Sequence, residues 1–255
     1  MRCYLVLVVL SLQNLQADEN LPLIEIVTES AFTLSYQDKK NQKIKGYAVE
    51  LVKAILEDSE LEYNISILPW IRAFRKAEAD KNILIFPMGR TARREGEFKW
   101  IGELIPISYS LYCLTTNLPS PPLTIEQIRK EPIAVPRNDI RAAYLKENNF
   151  TNLVLTSGNE QTHKLIDRGR ITFFISSALG LNQLQNKYNI QTKNVTKILE
   201  FKKLDTSLEI ALSLSTSDEI VNKLQKSYSN IRDNGKYLEI MKPLYEKLNY
   251  PLPER

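Results

Sequence analysis

The sequence predicts an α/β protein built from two successive units, and three observations carry that reading. Short apolar runs alternate with stretches of helical periodicity from Leu23 onward. The alternation restarts beyond Tyr109, where a strand-like run is followed by a segment, 117–122, carrying three prolines. Finally, about 240 residues once a leader is set aside suit one large domain or two lobes of about 100 to 120 residues, each large enough for its own core.

Each element follows from its residues. Leu23 to Thr28 is a short apolar strand, and Tyr36 to Lys45 is a polar turn with Asp38, Asn41 and four lysines. From Gly46, the apolar positions Tyr47, Leu51, Ala54 and Ile55 recur at helical spacing, and Tyr63 to Leu68 reads as a second strand. Ile71 to Asp80 is helical, Asn82 to Met88 is a strand, and an arginine-rich turn opens the next short helix. In the second unit, strands are expected at Tyr109 to Thr116, Ile133 to Val135, Leu153 to Thr156 and Ile171 to Ile175. Helical segments are expected at Ile125 to Ile128, Ile140 to Asn148 and Gln161 to Arg168. Leu208 to Leu214 is a further strand, and Ser217 to Asn234 is an amphipathic helix ended by Gly235. A βαβα order implies mostly parallel sheets with helices on their faces, and ligands gather at the carboxyl ends of such strands.

The first residues bear on the compartment. Arg2 supplies a positive charge, Cys3 to Leu12 is almost wholly apolar, and Gln16-Ala17 precedes Asp18-Glu19, the pattern of a signal peptide cleaved after Ala17. The apolar stretch is about half the roughly 20 residues that a membrane span needs. Removing 1–17 takes one cation and no acid from a chain whose formal charge is +4, so the remainder is only slightly basic. No basic cluster of the kind a nucleic-acid binder uses is present. Only Cys113 remains outside the leader, so no internal disulfide forms, and export without disulfides fits a bacterial periplasm.

The densest chemistry is Gly89-Arg90-Thr91-Ala92-Arg93-Arg94-Glu95, directly after the strand. A guanidinium grips a carboxylate through two parallel charge-assisted hydrogen bonds, and a helix start adds free N–H groups. The arginines read either as a grip for a small anion or as a solvated surface run.

Four segments in order decide the context. Gly46-Tyr47-Ala48-Val49-Glu50-Leu51 resembles the glycine-aromatic helix start of the family 3 periplasmic solute-binding proteins, whose fold is that of the type II amino-acid-binding proteins. Arg90 to Glu95 with Phe98 and Ser108-Tyr109 is similar to that family's T-P-E-R turn and following aromatic strand. Leu165 through Gly169-Arg170-Ile171-Thr172 is similar to its L-x-x-G-R-x-D segment, and Tyr228 to Tyr245 with Asp233-Asn234-Gly235 to its closing helix. Pro69-Trp70-x-Arg72-Ala73 together with Arg90-Thr91 resembles a divergent branch of the family.

The resemblance implies a two-lobed fold with two hinge strands, near Leu111 to Thr115 and Ile210 to Leu214. Lobe 1 would be 21–112 plus 215–255, and lobe 2 would be 113–214. It assigns the ligand carboxylate to Arg94, with Thr91 beside it and Arg90 and Arg72 as branch-specific additions. The family aspartate that receives the ligand ammonium aligns with Ser177, which cannot supply a full counter-charge. Either another acid compensates or the ligand is not a standard α-amino acid. Phe32, Trp70 and Tyr36 fall at strand ends or the loops after them, where a ring can stack on the ligand. Arg137-Asn138-Asp139 follows a second-unit strand, and Asp139 is the candidate substitute acid.

The implied role is capture of a small carboxylate or amino-acid-like molecule between closing lobes by a monomer, for an inner-membrane ABC-type permease, with no cofactor, metal or nucleic acid involved. A ligand-presenting sensory component is the alternative, and a dehydratase-like enzyme on the same fold a more distant one. His163, the single histidine, sits within a helical segment and reads as a helix-surface or core residue rather than a catalytic base. No HExxH, CxxC or phosphate-cradling glycine loop occurs, with 8 glycines in 255 residues and none grouped.

Overall fold

The computed structural model describes residues 22–31, 33–204 and 206–253; the expected leader and Phe32 lie outside them. The chain opens with strand β1 (Ile24–Thr28) and a small hairpin, β2 (Tyr36–Gln37) with β3 (Ile44–Lys45), closed by a Lys45–Asp38 ion pair at 2.6 Å. Helix α1 (Tyr47–Asp58) starts at Gly46, whose φ of 133° is open to glycine and strained for other residues; a Cβ there would also collide with the Leu34 carbonyl. Strand β4 (Tyr63–Ile67), helix α2 (Trp70–Ala79) and strand β5 (Ile83–Gly89) follow. Helix α2 buries Trp70, Ala73, Phe74 and Ala77, one stripe at helical spacing, against the sheet. β1 pairs in parallel with both β4 and β5, as the alternating pattern requires.

A short 3₁₀ turn at Ala92–Arg94 leads into β6 (Phe98–Ile107), after which the chain changes sheets. Strand β7 (Ser110–Leu114), helix α3 (Ile125–Ile128), β8 (Ile133–Pro136), α4 (Ile140–Glu147), β9 (Leu153–Thr156), α5 (Asn159–Asp167), β10 (Phe173–Ser176), α6 (Ala178–Tyr188) and β11 (Val195–Glu200) form the second unit. Strand β12 (Thr206–Ser213) returns to the first sheet, and α7 (Asp218–Asp233) and α8 (Lys236–Leu248) cover it, joined through Gly235 at φ 82°. The sheet orders are β4-β1-β5-β12-β6 and β11-β7-β10-β8-β9. The first sheet carries α1, α7 and α8 on one face and α2 on the other, giving the layered α/β architecture that the sequence predicts.

The boundaries differ from expectation. β7 lies wholly in the second sheet and β12 wholly in the first, so the expected divisions at 112/113 and 214/215 both move upstream. The chain crosses between Ile107 and Ser110 and again between Glu200 and Thr206. Leu111 to Thr115 and Ile210 to Leu214 are therefore not crossing segments. β12 reads as a late strand because it is buried on both sides between β5 and β6, where an interior strand shows a continuous apolar run.

Candidate ligand-binding cleft

Five strand ends converge between the sheets. The residues just beyond β1 and β5 supply Glu29 and the 89–94 turn; those beyond β8, β9 and β10 supply Asp139 to Arg141, Asn159 and Ser177. These are carboxyl ends of strands, where open α/β sheets place their ligands. They enclose a cavity of about 80 Å³, lined also by Trp70, Tyr109, His163 and Gln183. On one side it shares Arg94, Asp139 and Ile140 with a groove of about 590 Å³. On the other it shares Glu29, Trp70 and Asn159 with a groove of about 530 Å³.

Arg94 is 6 % exposed. Its Nη1 donates to the Gly89 carbonyl at 2.9 Å, and its Nη2 donates to the Asn138 carbonyl, in the second unit, at 2.7 Å. The guanidinium carbon lies 5.0 Å from the Phe74 ring centroid and 5.8 Å from that of Trp70. Among the described residues no carboxylate is bonded to it, and burial pushes its pKa below the ordinary arginine value. The result is a desolvated cation with three N–H groups still to satisfy.

Arg141, the second buried guanidinium, is already neutralised. Its Nε and Nη2 donate to the two Asp139 oxygens at 2.7 and 2.8 Å, and Nη2 also donates to Asn159 Oδ1 at 2.7 Å. Burial alone would raise the Asp139 pKa, but the charge and hydrogen bonds of Arg141 outweigh it and hold the carboxyl below its usual range. Asp139 also caps α4, accepting from the Arg141 backbone N–H at 2.9 Å. It is committed to Arg141 rather than available as a substitute acid for a ligand.

Glu29 fills that vacancy in the charge pattern. Burial raises its pKa to about 7, the Arg141 charge lowering it and Asp139 adding to the rise. Its Oε1 accepts from Asn159 Nδ2 at 2.9 Å across the cleft. Sequence reading missed this residue; its signal was an acid directly after the first apolar strand of a parallel sheet, at a strand's carboxyl end. His163 is buried in α5, neutral because burial drives its pKa down to about 3, and packs edge-on against Tyr188 at 5.9 Å.

Of the residues singled out in the sequence, Arg94, Trp70, Asp139 and Ser177 meet at the cavity, and Thr91 lines the larger outer groove. The remaining arginines do not. Arg90 gives its Nε and Nη2 to the two Glu95 oxygens, at 2.8 and 3.1 Å, and covers Trp100. Arg72 sits on the exposed face of α2, between the buried positions Trp70 and Ala73, and Arg137 is exposed after β8. Tyr36 belongs to the β2–β3 hairpin. Ser177 caps α6, its Oγ accepting from the Gly180 N–H at 3.3 Å.

No family model and no curated protein matches the sequence. Solved structures do. A histidine kinase sensor domain with similarity to periplasmic binding proteins superposes with a TM-score of 0.74 at 18 % identity, covering 87 % of this chain and 95 % of its own. An ancestral arginine-binding protein bound to arginine gives 0.72 at 14 %, covering 87 % and 97 %. The arginine-, lysine-, histidine-binding protein ArtJ from Geobacillus stearothermophilus gives 0.73 at 16 %, covering 87 % and 94 %. The chain has the periplasmic-binding-protein fold. In that two-lobed frame the first sheet is one lobe and the second sheet the other, with the cavity between them. Among the described residues no helix is long and apolar enough to cross a membrane, and no group of three or more His, Cys, Asp or Glu is placed to hold a metal.

Proposed function

We propose that this protein is an extracytoplasmic binding protein that captures a small amino-acid-like ligand between its lobes. The observation that carries this reading is Arg94, a buried guanidinium bonded to two backbone carbonyls and, among the described residues, to no carboxylate. Burying a charge without a counter-charge is costly, and an anionic ligand at this position removes that cost. Arg94 takes the ligand carboxylate. Glu29, lining the same cavity, takes an ammonium group, replacing the acid that Ser177 does not provide.

Closure follows from differential binding: the ligand favours the closed form only by as much as it binds that form better than the open one. The segments 108–109 and 201–204, where the chain passes between the sheets, act as the hinge. Delivery to an ABC-type permease in the inner membrane by a monomer, exported through residues 1–17, is the role we assign. The likeness to ArtJ and to other amino-acid-binding proteins supports it. Ligand presentation to a sensory receptor is the second reading, favoured by the likeness to a histidine kinase sensor domain.

A thermal-shift screen against amino acids, small carboxylates, polyamines and sugars tests the proposal, because a ligand specific to the folded state raises Tm by mass action. The expected outcome is a shift with an amino acid or carboxylate that disappears in Arg94→Ala. A hit confined to sugars or polyamines, or one indifferent to Arg94→Ala, overturns it.

A further inference from the structure

Among the described residues, three buried side-chain polar atoms without a hydrogen-bond partner belong to residues lining the central cavity: Trp70 Nε1, His163 Nδ1 and Gln183 Nε2. These residues are 4, 4 and 5 % exposed. A buried polar group without a partner carries an unrecovered desolvation cost, and native structures keep such groups few. Their concentration at one cavity points to a partner that arrives with the ligand.

The neighbouring protein groups are otherwise engaged. The Thr162 hydroxyl pairs with Thr156 Oγ1 at 2.8 Å, and the Asn159 amide is used at both ends, by Arg141 and by Glu29. The indole nitrogen can only donate, an amide nitrogen also donates, and the imidazole is neutral. The wall from α2, α5 and α6 therefore offers two donors, an imidazole nitrogen that either donates or accepts, and no charge. A cationic side chain placed there would face those donors beside the Arg141 guanidinium, whose Asp139 partner is already spent. An apolar side chain would leave all three atoms unpartnered. The cavity is small, about 80 Å³, which favours a compact ligand.

We propose that Gln183, His163 and Trp70 form a side-chain subsite selecting small amino acids that carry an uncharged oxygen-bearing group, a hydroxyl or a carboxamide. The inference rests on the amino-acid reading above, with Arg94 and Glu29 taking the ligand's charged ends.

Two near-isosteric pairs, threonine against valine and asparagine against leucine, titrated calorimetrically into the purified chain, provide the test. Threonine or asparagine is expected to bind at least about 10-fold more tightly than its isostere, since a site built around hydrogen bonds rejects the analogue that lacks them. Gln183→Leu should collapse the preference mainly by weakening the polar member of the pair. His163→Phe is the second variant, should the first fail to fold, and the same loss is expected. Equal affinity within both pairs, or a preference that survives both substitutions, overturns the subsite while leaving the amino-acid reading standing. No binding by any of the four, with no shift from any amino acid in the thermal screen, removes both.

Discussion

Arg94 Nη2 donates to the backbone carbonyl of Asn138 at 2.7 Å, a hydrogen bond that joins the two lobes directly. Asn138 holds that carbonyl in place with φ at 55°, a left-handed conformation that asparagine tolerates better than most residues. The same guanidinium thus ties the two units together and, on the function proposed above, also receives the ligand carboxylate.

Replacing Arg94 by Met separates those roles from packing. Methionine keeps contact with Phe74 and Trp70 but removes the charge. Affinity for any carboxylate ligand should fall by about 1.5–3 kcal/mol, the range for a hydrogen bond to a charged group. An exposed arginine would change it by less than about 0.5 kcal/mol. Calorimetry on wild type and variant reads the difference, and an unchanged affinity would remove Arg94 from the site.

Asp139 behaves differently because its partner is buried with it. Asp139→Asn retains the cap of α4 but removes the carboxylate paired with Arg141, and breaking one side of a buried pair costs roughly 3–5 kcal/mol. The expected result is a large drop in the urea midpoint with unchanged m-value, well beyond that of Arg94→Met. A loss under about 1 kcal/mol would show that water reaches the pair.

The contrast between these two residues also marks where sequence reasoning stops. The turn was legible as arginine-rich chemistry at a strand's carboxyl end, and the resemblance to the T-P-E-R turn singled out Arg94 within it. Arg90 sat in the same motif and read the same way, yet Glu95, five residues on, takes its charge on the exposed side of the turn. Asp139 was legible as an acid near the cleft, while its commitment to Arg141, two residues on, was not, because pairing depends on side-chain direction rather than on spacing. Glu29 went unseen because its property, a raised pKa, comes from burial by elements distant in sequence. Two elements escaped for related reasons. α6 is only weakly amphipathic and carries Gly180, and β11 is an edge strand with no fully buried residue.

Glu29 makes a pH prediction with a definite sign. Its pKa is raised from 4.5 to about 7, so the folded chain holds the proton more tightly than the unfolded chain does. Stability therefore falls as pH rises from about 4.5 to 7, by at most ~3 kcal/mol, and by less because part of the residue remains accessible at the cleft. Glu29→Gln should flatten the urea midpoint across this window and gain stability relative to wild type at pH 8. An ammonium-bearing ligand should show the opposite trend, binding wild type more tightly as pH rises towards 7. Parallel midpoint curves for the two proteins would show that Glu29 is not desolvated.

Gly89 tests closure without touching a charge. A Cβ at this first-lobe residue would stand 2.8 Å from Ile140 Cδ1 of the second lobe, so Gly89→Ala inserts a methyl group into the interlobe contact. On the closure proposed above, the clash exists only in the closed form, where Ile140 meets Gly89. The variant should therefore keep nearly the wild-type unfolding midpoint without ligand yet bind about tenfold more weakly, the factor given by 1.4 kcal/mol of selective strain in the closed form. Small-angle scattering at a ligand concentration that closes wild type should give a larger radius of gyration for the variant than for wild type. If the two radii agree and affinity is unchanged, Ile140 has rotated to accommodate the methyl and the contact does not govern closure.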